Sequence, residues 1–247
     1  ILAQRLAEIL GRPLAAPLDR EVIVVQSRGM ERWLSMQLAQ RIGICSNCAF
    51  PFPNVFVQEV FKSYFSDLPE NSPFDPGIMT WLIMKLLPDC MENRAFEPLR
   101  NYIKGPGNDL KRFQLSERIA DTFDQYLLFR PQMIFRWEQG HEENWQAVLW
   151  RKIVGQKGNQ HRATLGKQFL EAVEYISADF EGLPERVCLF GISALPRFHM
   201  QILSGIARVV QVNIFLMNPC MEYWGDILSE WETERATGRV RTDIAME

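Results

Sequence analysis

The chain has 247 residues, 47% of them hydrophobic and 23% charged, with a formal net charge of -3. This is enough chain for a sizeable core and about one or two domains. The acidic balance argues against a broad basic face that grips duplex DNA, and no apolar run approaches the roughly 18 residues of a membrane span, so any nucleic-acid site must be local.

Residue 1 falls inside an amphipathic stretch, Leu2, Leu6 and Ile9-Leu10, with no N-cap and no initiator Met, so the sequence reads as a piece of a longer chain. Glu21 to Ser27 is a strand: Val22-Ile23-Val24-Val25 is a continuous β-branched run, suited to a parallel sheet covered on both faces. The polar turn Gln26-Ser27-Arg28-Gly29 leads into a helix with Met30, Trp33-Leu34 and Leu38 inward and Gly43 as its stop. Phe50-Pro51-Phe52-Pro53 forces an extended stretch, after which Phe56, Val60-Phe61 and Tyr64-Phe65 mark another helix.

From about Pro73 to Phe180 the period is helical throughout, with Trp81 to Leu87, Leu115 to Phe129, Trp145 to Val154 and Leu165 to Ile176 as the main elements. Gly105-Pro106-Gly107-Asn108 and Gly155 to Asn159 are loops. Strand patterns return at Arg186 to Ile192 and Val209 to Met217, separated by a helical stretch around Met200 to Ile206, which makes a βαβ unit. The reading is an α/β core in two parts, 1–72 and 181–247, interrupted by a helical insertion at 73–180. The tail after Trp231 is polar and without period.

Most familiar catalytic signatures fail on inspection. Five cysteines (45, 48, 90, 188 and 220) are too few and scattered for a disulfide scaffold, and an odd count fits a reducing, cytoplasmic setting. Cys45-x-x-Cys48 lacks a second pair to complete a zinc site, so packing thiols are expected and no metal. His141-Glu142-Glu143-Asn144-Trp145 has Trp145 where a zincin needs its second ligand. His161 and His199 have no Ser or Cys partner that spacing singles out, and are expected as surface or satisfied core residues. Gly166-Lys167 is followed by Gln168 and has no glycine five residues earlier, so it is not a phosphate loop. The strand Cys188 to Ser193 ends without the acidic pair that holds Mg²⁺ in a motor ATPase.

Two constellations remain. In the first turn Gln26 offers a donor and an acceptor, Arg28 a cationic fork, and the following helix its free amides; a base or a phosphate would fit, as would a plain helix cap with Arg28 and Arg32 solvated. On the helix from Leu115, a core stripe of Leu115, Ile119, Phe123 and Tyr126 leaves Asp121, Asp124 and Gln125 together at helical spacing. Carboxylates and an amide aimed one way suit the edges of unstacked bases, and solvated acids near Arg118 are the plainer alternative. Trp137, Trp145 and Trp150 could stack bases, but at these spacings they read as core.

At these residues the chain resembles the RecC family, the gamma subunits of bacterial exonuclease V (RecBCD) complexes. The resemblance runs from about Glu21 to Trp231 through "VVQSRGMERWL", "FPFP", "DTFDQYLLFRP" with "RWEQGH", "HRA", "RVCLFGISALP" and "NPCMEYWGDI", all in one order. It implies a RecA-like core built like domain 1A of a superfamily 1 helicase, with an all-helical 1B-like insertion and no ATP chemistry of its own. ATP and Mg²⁺ would sit on RecB-like and RecD-like partners, leaving this chain without a cofactor. The implied task is to guide the unwound 3′-ended strand and scan it for the Chi recombination signal. Matching positions place Gln26, Arg28, Arg32, Phe52 and Gln58 from the core along that channel. Asp121, Thr122, Asp124, Gln125, Arg130 and Arg162 would join them from the insertion. Arg28 stands where a threonine is familiar, Arg32 where a glutamine is, Gln58 where a tryptophan is and Thr122 where a leucine is. Because arginine prefers guanine or phosphate, the octamer is expected either to differ here or not to be read at all. Two rival readings stay open at this point: an active helicase domain whose phosphate loop precedes Ile1, and a protein-interaction scaffold that never meets DNA.

Overall fold

The β-branched run at Val22 does lie in the middle of a parallel sheet. The computed structural model describes residues 1–16, 18–105, 108–174 and 182–217. In it β1 (Glu21–Val24) pairs with β2 (Cys48–Ala49) on one side and β3 (Arg186–Phe190) on the other, and β4 (Gln211–Phe215) lies beyond β3. All three pairings are parallel, with Val22 in register with Ala49 and Val187, and Cys188 with Asn213. The strand ends at Val24, short of Ser27, because the sheet edge changes partner there: the Val25 amide donates to the Pro51 carbonyl at 3.1 Å.

Alternation along the strands divides the core. Ile23, Val25, Cys188 and Phe190 face α1 (Leu2–Leu10) and α2 (Arg28–Ile42), which contribute Leu6, Leu34 and Leu38. Val24, Val187 and Leu189 face the opposite way, onto α3 (Pro53–Tyr64), through Phe56, Val57, Val60 and Phe61. A sheet covered on both faces is what β-branched parallel strands require. Trp33 departs from expectation: it is 47% exposed, since the inward line of α2 runs through Leu34 and Leu38, a full turn apart, and Trp33 sits beside that line. Its ring still rests on Phe190, centroids 6.2 Å apart.

A second core is all-helical. It draws on α4 (Pro76–Cys90), α5 (Glu97–Ile103), α6 (Asn108–Phe129), α7 (Pro131–Glu138) and α8 (Trp145–Lys157). Trp137 and Trp150 are buried at its centre, and their indole N–H groups donate to Glu142 at 2.8 Å and Glu138 at 2.9 Å. Those bonds make large polar-tipped rings tolerable in a core. α9 (Arg162–Glu174) starts on this cluster with Ala163 and then gives Leu165, Phe169 and Val173 to the sheet's cluster, as does α10 (Arg197–Ile206) between β3 and β4. The helix read from Leu165 to Ile176, the loop at Gly105 to Asn108, the block from Asn218 to Ile227, Cys220 and the tail after Trp231 lie partly or wholly outside the described residues.

At the opposite end of the strands from the polar turn, Arg186 is almost fully buried. Its Nε donates to Glu21 at 2.9 Å, one Nη2 bond also reaches Glu21, and Nη2 donates to the Arg12 carbonyl at 2.6 Å. A forked guanidinium so satisfied ties β3, β1 and the segment after α1 together.

Candidate nucleic-acid interface

The polar turn is held open by its own chemistry. Ser27 caps α2, its Oγ accepting from the Met30 amide at 3.1 Å, which leaves Gln26, Arg28 and Arg32 exposed at the strand end. The Val25–Pro51 hydrogen bond draws the extended Phe50–Pro53 stretch alongside, so the Arg28 guanidinium lies 5.8 Å from the Phe52 ring. Arg28 makes a long contact of 3.5 Å to Glu31, too weak to fix it. Pro53 then opens α3, which carries Gln58 on its exposed side.

On the helical side, α6 presents Asp121, Thr122, Asp124 and Gln125 unequally. Asp121 and Gln125 are exposed. Thr122 turns back, its hydroxyl donating to the Arg118 carbonyl at 2.7 Å. Asp124 is half-buried and lies 2.7 Å from Arg162, the first residue of α9. Burial pushes the Asp124 carboxyl above its ordinary range, the Arg162 charge pulls it down, and Asp75 and Asp121 push it up again. Arg130 precedes α7 and lies over the Tyr126 ring at 5.8 Å.

The two sides meet at a cleft of ≈ 220 Å³ between α3, α9 and α10. Gln58 and Arg162 both line it, with Phe74 and Asp75 before α4 and Phe198 and His199 from α10. Gln58 and Arg162 thus meet at the cleft, and Arg162 reaches from there to Asp124, whereas Arg28 and Phe52 are not among the cleft's lining residues. Among the described residues no hydrogen bond or ion pair joins Gln26, Arg28 or Arg32 directly to the Asp121–Gln125 face.

The histidines correct one expectation and fill another. His161 is fully buried and satisfied, with Nε2 2.7 Å from Glu138. His199 is buried too, but its Nδ1 has no hydrogen-bond partner among the described residues. Burial, helped by the Arg162 charge, pulls its pKa down to about 4. Sequence spacing gave no signal for the cleft, because its walls come from three separate segments, Asn54 to Asp75, Lys157 to Leu165 and Phe198-His199. Gly166 has a steric use: a Cβ there would stand 2.4 Å from the Phe198 ring, so the glycine lets α9 approach α10. Cys45 and Cys48 are half-buried, and burial together with a hydrogen bond to Cys45 pushes the Cys48 thiol up to about 12. Among the described residues, no group of three or more His, Cys, Asp or Glu could hold a metal ion, and no helix is long and apolar enough to cross a membrane.

These features define an α/β chain with a four-stranded parallel sheet, an appended helical core and a polar, aromatic-flanked cleft where the two meet. The chain belongs to the RecC N-terminal domain family: a family model described as "RecC, N-terminal domain" matches residues 1–245. It is 40% identical over 223 residues to the RecBCD enzyme subunit RecC of Escherichia coli, covering 85% of this chain and 20% of that protein. Identity to the RecC subunit of Haemophilus influenzae is 36% over 247 residues (87% and 22%), and to that of Mycolicibacterium smegmatis 25% over 232 residues (91% and 21%). The chain thus spans about a fifth of the length of the relatives it matches.

Proposed function

We propose that the chain is a non-catalytic module of a RecBCD-type helicase-nuclease in recombinational repair of double-strand breaks. It guides the unwound 3′-ended single strand and scans it for the Chi signal, while RecB-like and RecD-like subunits handle ATP and Mg²⁺. In this reading the sheet and its flanking helices are a RecA-like, 1A-like core, and the helices of 73–180 are its 1B-like insertion. Phe190-Gly191-Ile192-Ser193, at the end of β3, offers no carboxylate for a metal-bound nucleotide, which supports a guiding rather than a motor role.

One observation carries the reading: Gln58 of the core and Arg162 of α9, paired to Asp124 of α6, converge on one cleft. Guanidinium forks and an amide can hold phosphates and base edges together, as single-strand reading requires. The test uses the full-length protein assembled with its partner subunits and compares cleavage products of Chi-bearing and Chi-free DNA. Asp124→Ala, which frees Arg162 and removes an acceptor, is expected to reduce the Chi-dependent difference at least tenfold. An unchanged difference would count against the assignment.

A further inference from the structure

Arg162 and Lys157 both line the cleft, but they place different demands on the fold. A lysine is a point charge on a flexible stem and works from many conformations, whereas an arginine fork meets oxygens in pairs only when its plane is correctly turned. Asp124 alone does not fix that plane. The two groups approach to 2.7 Å, yet the buried Asp124 Oδ1 makes no hydrogen bond among the described residues, so the contact is one of charge and lies out of line for a hydrogen bond. The orientation has to come from the other end of the side chain, where Arg162 opens α9.

That end is held by the residue before it. His161 is fully buried, its ring boxed by Phe74 and Trp150, both at 5.4 Å between centroids, and by Phe135 at 6.3 Å. Its Nδ1 accepts from the Thr164 amide at 3.4 Å, a long hydrogen bond that makes the ring the cap of α9. A neutral imidazole with Nδ1 as acceptor carries its proton on Nε2, and that nitrogen lies 2.7 Å from Glu138 Oε1, with the Thr164 hydroxyl farther off at 3.3 Å. An ionised carboxylate only accepts, so it selects this tautomer and with it the cap. The same oxygen accepts from the Trp150 indole at 2.9 Å. Glu138 is the last residue of α7, and that helix end is pinned where Arg151 donates to the Trp137 carbonyl at 3.0 Å and the Glu142 carbonyl at 2.7 Å. We propose that Glu138 and His161 are positioning residues for the response to Chi: neither touches the strand, and together they fix the start of α9 so that the Arg162 fork meets the cleft in one orientation.

This inference rests on the strand-guiding reading, and the two fail differently. The measurement uses the full-length protein assembled with its partner subunits. It reads the difference between cleavage products of Chi-bearing and Chi-free DNA, alongside the unwinding rate of Chi-free duplex. Removing a group that orients a binding side chain without touching its ligand typically costs about ten- to a hundredfold, as it does at metal sites. Glu138→Ala is therefore expected to reduce the Chi-dependent difference about tenfold and to leave unwinding unchanged. Glu138→Gln, whose amide oxygen can accept from both Trp150 and His161, should restore the difference to within about twofold. His161→Asn keeps a good helix cap but loses the nitrogen that meets Glu138, and should behave like Glu138→Ala. In an Arg162→Lys background, where no fork remains to be oriented, Glu138→Ala and His161→Asn should cost nothing further. Added losses there, or a wild-type response from His161→Asn, would reduce the pair to ordinary packing and overturn the proposal while strand guiding stands. Arg162→Ala with an undiminished Chi-dependent difference would overturn both. Should Glu138→Ala fail to assemble, His161→Asn decides by the same comparison.

Discussion

At the scale of single residues, His199 and Asp124 set a signature that can be read without any DNA. His199 is held neutral, its pKa pulled from 6.5 to about 4 chiefly by burial. Between those values the unfolded chain carries a proton that the folded chain refuses, so stability is level above about pH 6.5 and falls as pH drops toward 4. The slope from this one group is up to about 1.4 kcal/mol per pH unit. Asp124, whose carboxyl lies above its ordinary value, works in the other direction nearer the carboxylate range, since the folded form takes up its proton more readily. Urea midpoints at pH 7.5 and pH 5.5 should therefore differ in the wild type and converge in His199→Gln. A gap of equal size in the variant would assign the acid sensitivity elsewhere.

At the scale of elements, the close approach of α9 to α10 is the most exacting contact. Phe198 is wedged against Gly166 on one side and packs edge-on to Phe61, ring centroids 6.4 Å apart, so it cannot swing aside. Gly166→Ala gains about 1 kcal/mol in helix propensity and meets an overpacking cost of about 1–3 kcal/mol. We expect a net loss of roughly 1 kcal/mol in urea unfolding, and a narrowed cleft. The same packing explains what was legible in advance. Strands and helices with continuous or 3.6-residue patterns were readable, including the βαβ unit, because local periodicity reflects which face is buried. β2 is two residues long and carries no pattern of its own, and the Trp33 ring was misdirected because one position on a helix turns a side chain by about 100°. The Glu21–Arg186 lock and the cleft were unreadable, being meetings of segments remote in sequence.

At the scale of the whole molecule, the net charge of -3 means that the strand guiding proposed above has to use locally placed cations rather than a general positive field. Each phosphate neutralised contributes about 0.7 to the slope of log affinity against log salt on single strands. Lys157→Ala in the assembled complex should lower that slope by about 0.7 and weaken binding alike for all sequences. An unchanged slope would remove Lys157 from the strand's path. Arg162, by contrast, owes its bearing to a residue that never needs to meet a nucleotide. Glu138 accepts hydrogen bonds from both Trp150 and His161, and the His161 carbonyl accepts the Leu165 amide at the start of α9. In the strand-guiding reading proposed above, disturbing that carboxylate leaves the side chains that touch DNA intact but mis-aims Arg162. Genetic screens for deafness to the recombination signal should accordingly collect lesions at Glu138 as well as at the positions that touch DNA, and hits of the first kind will look puzzling until the mounting is told apart from the lens.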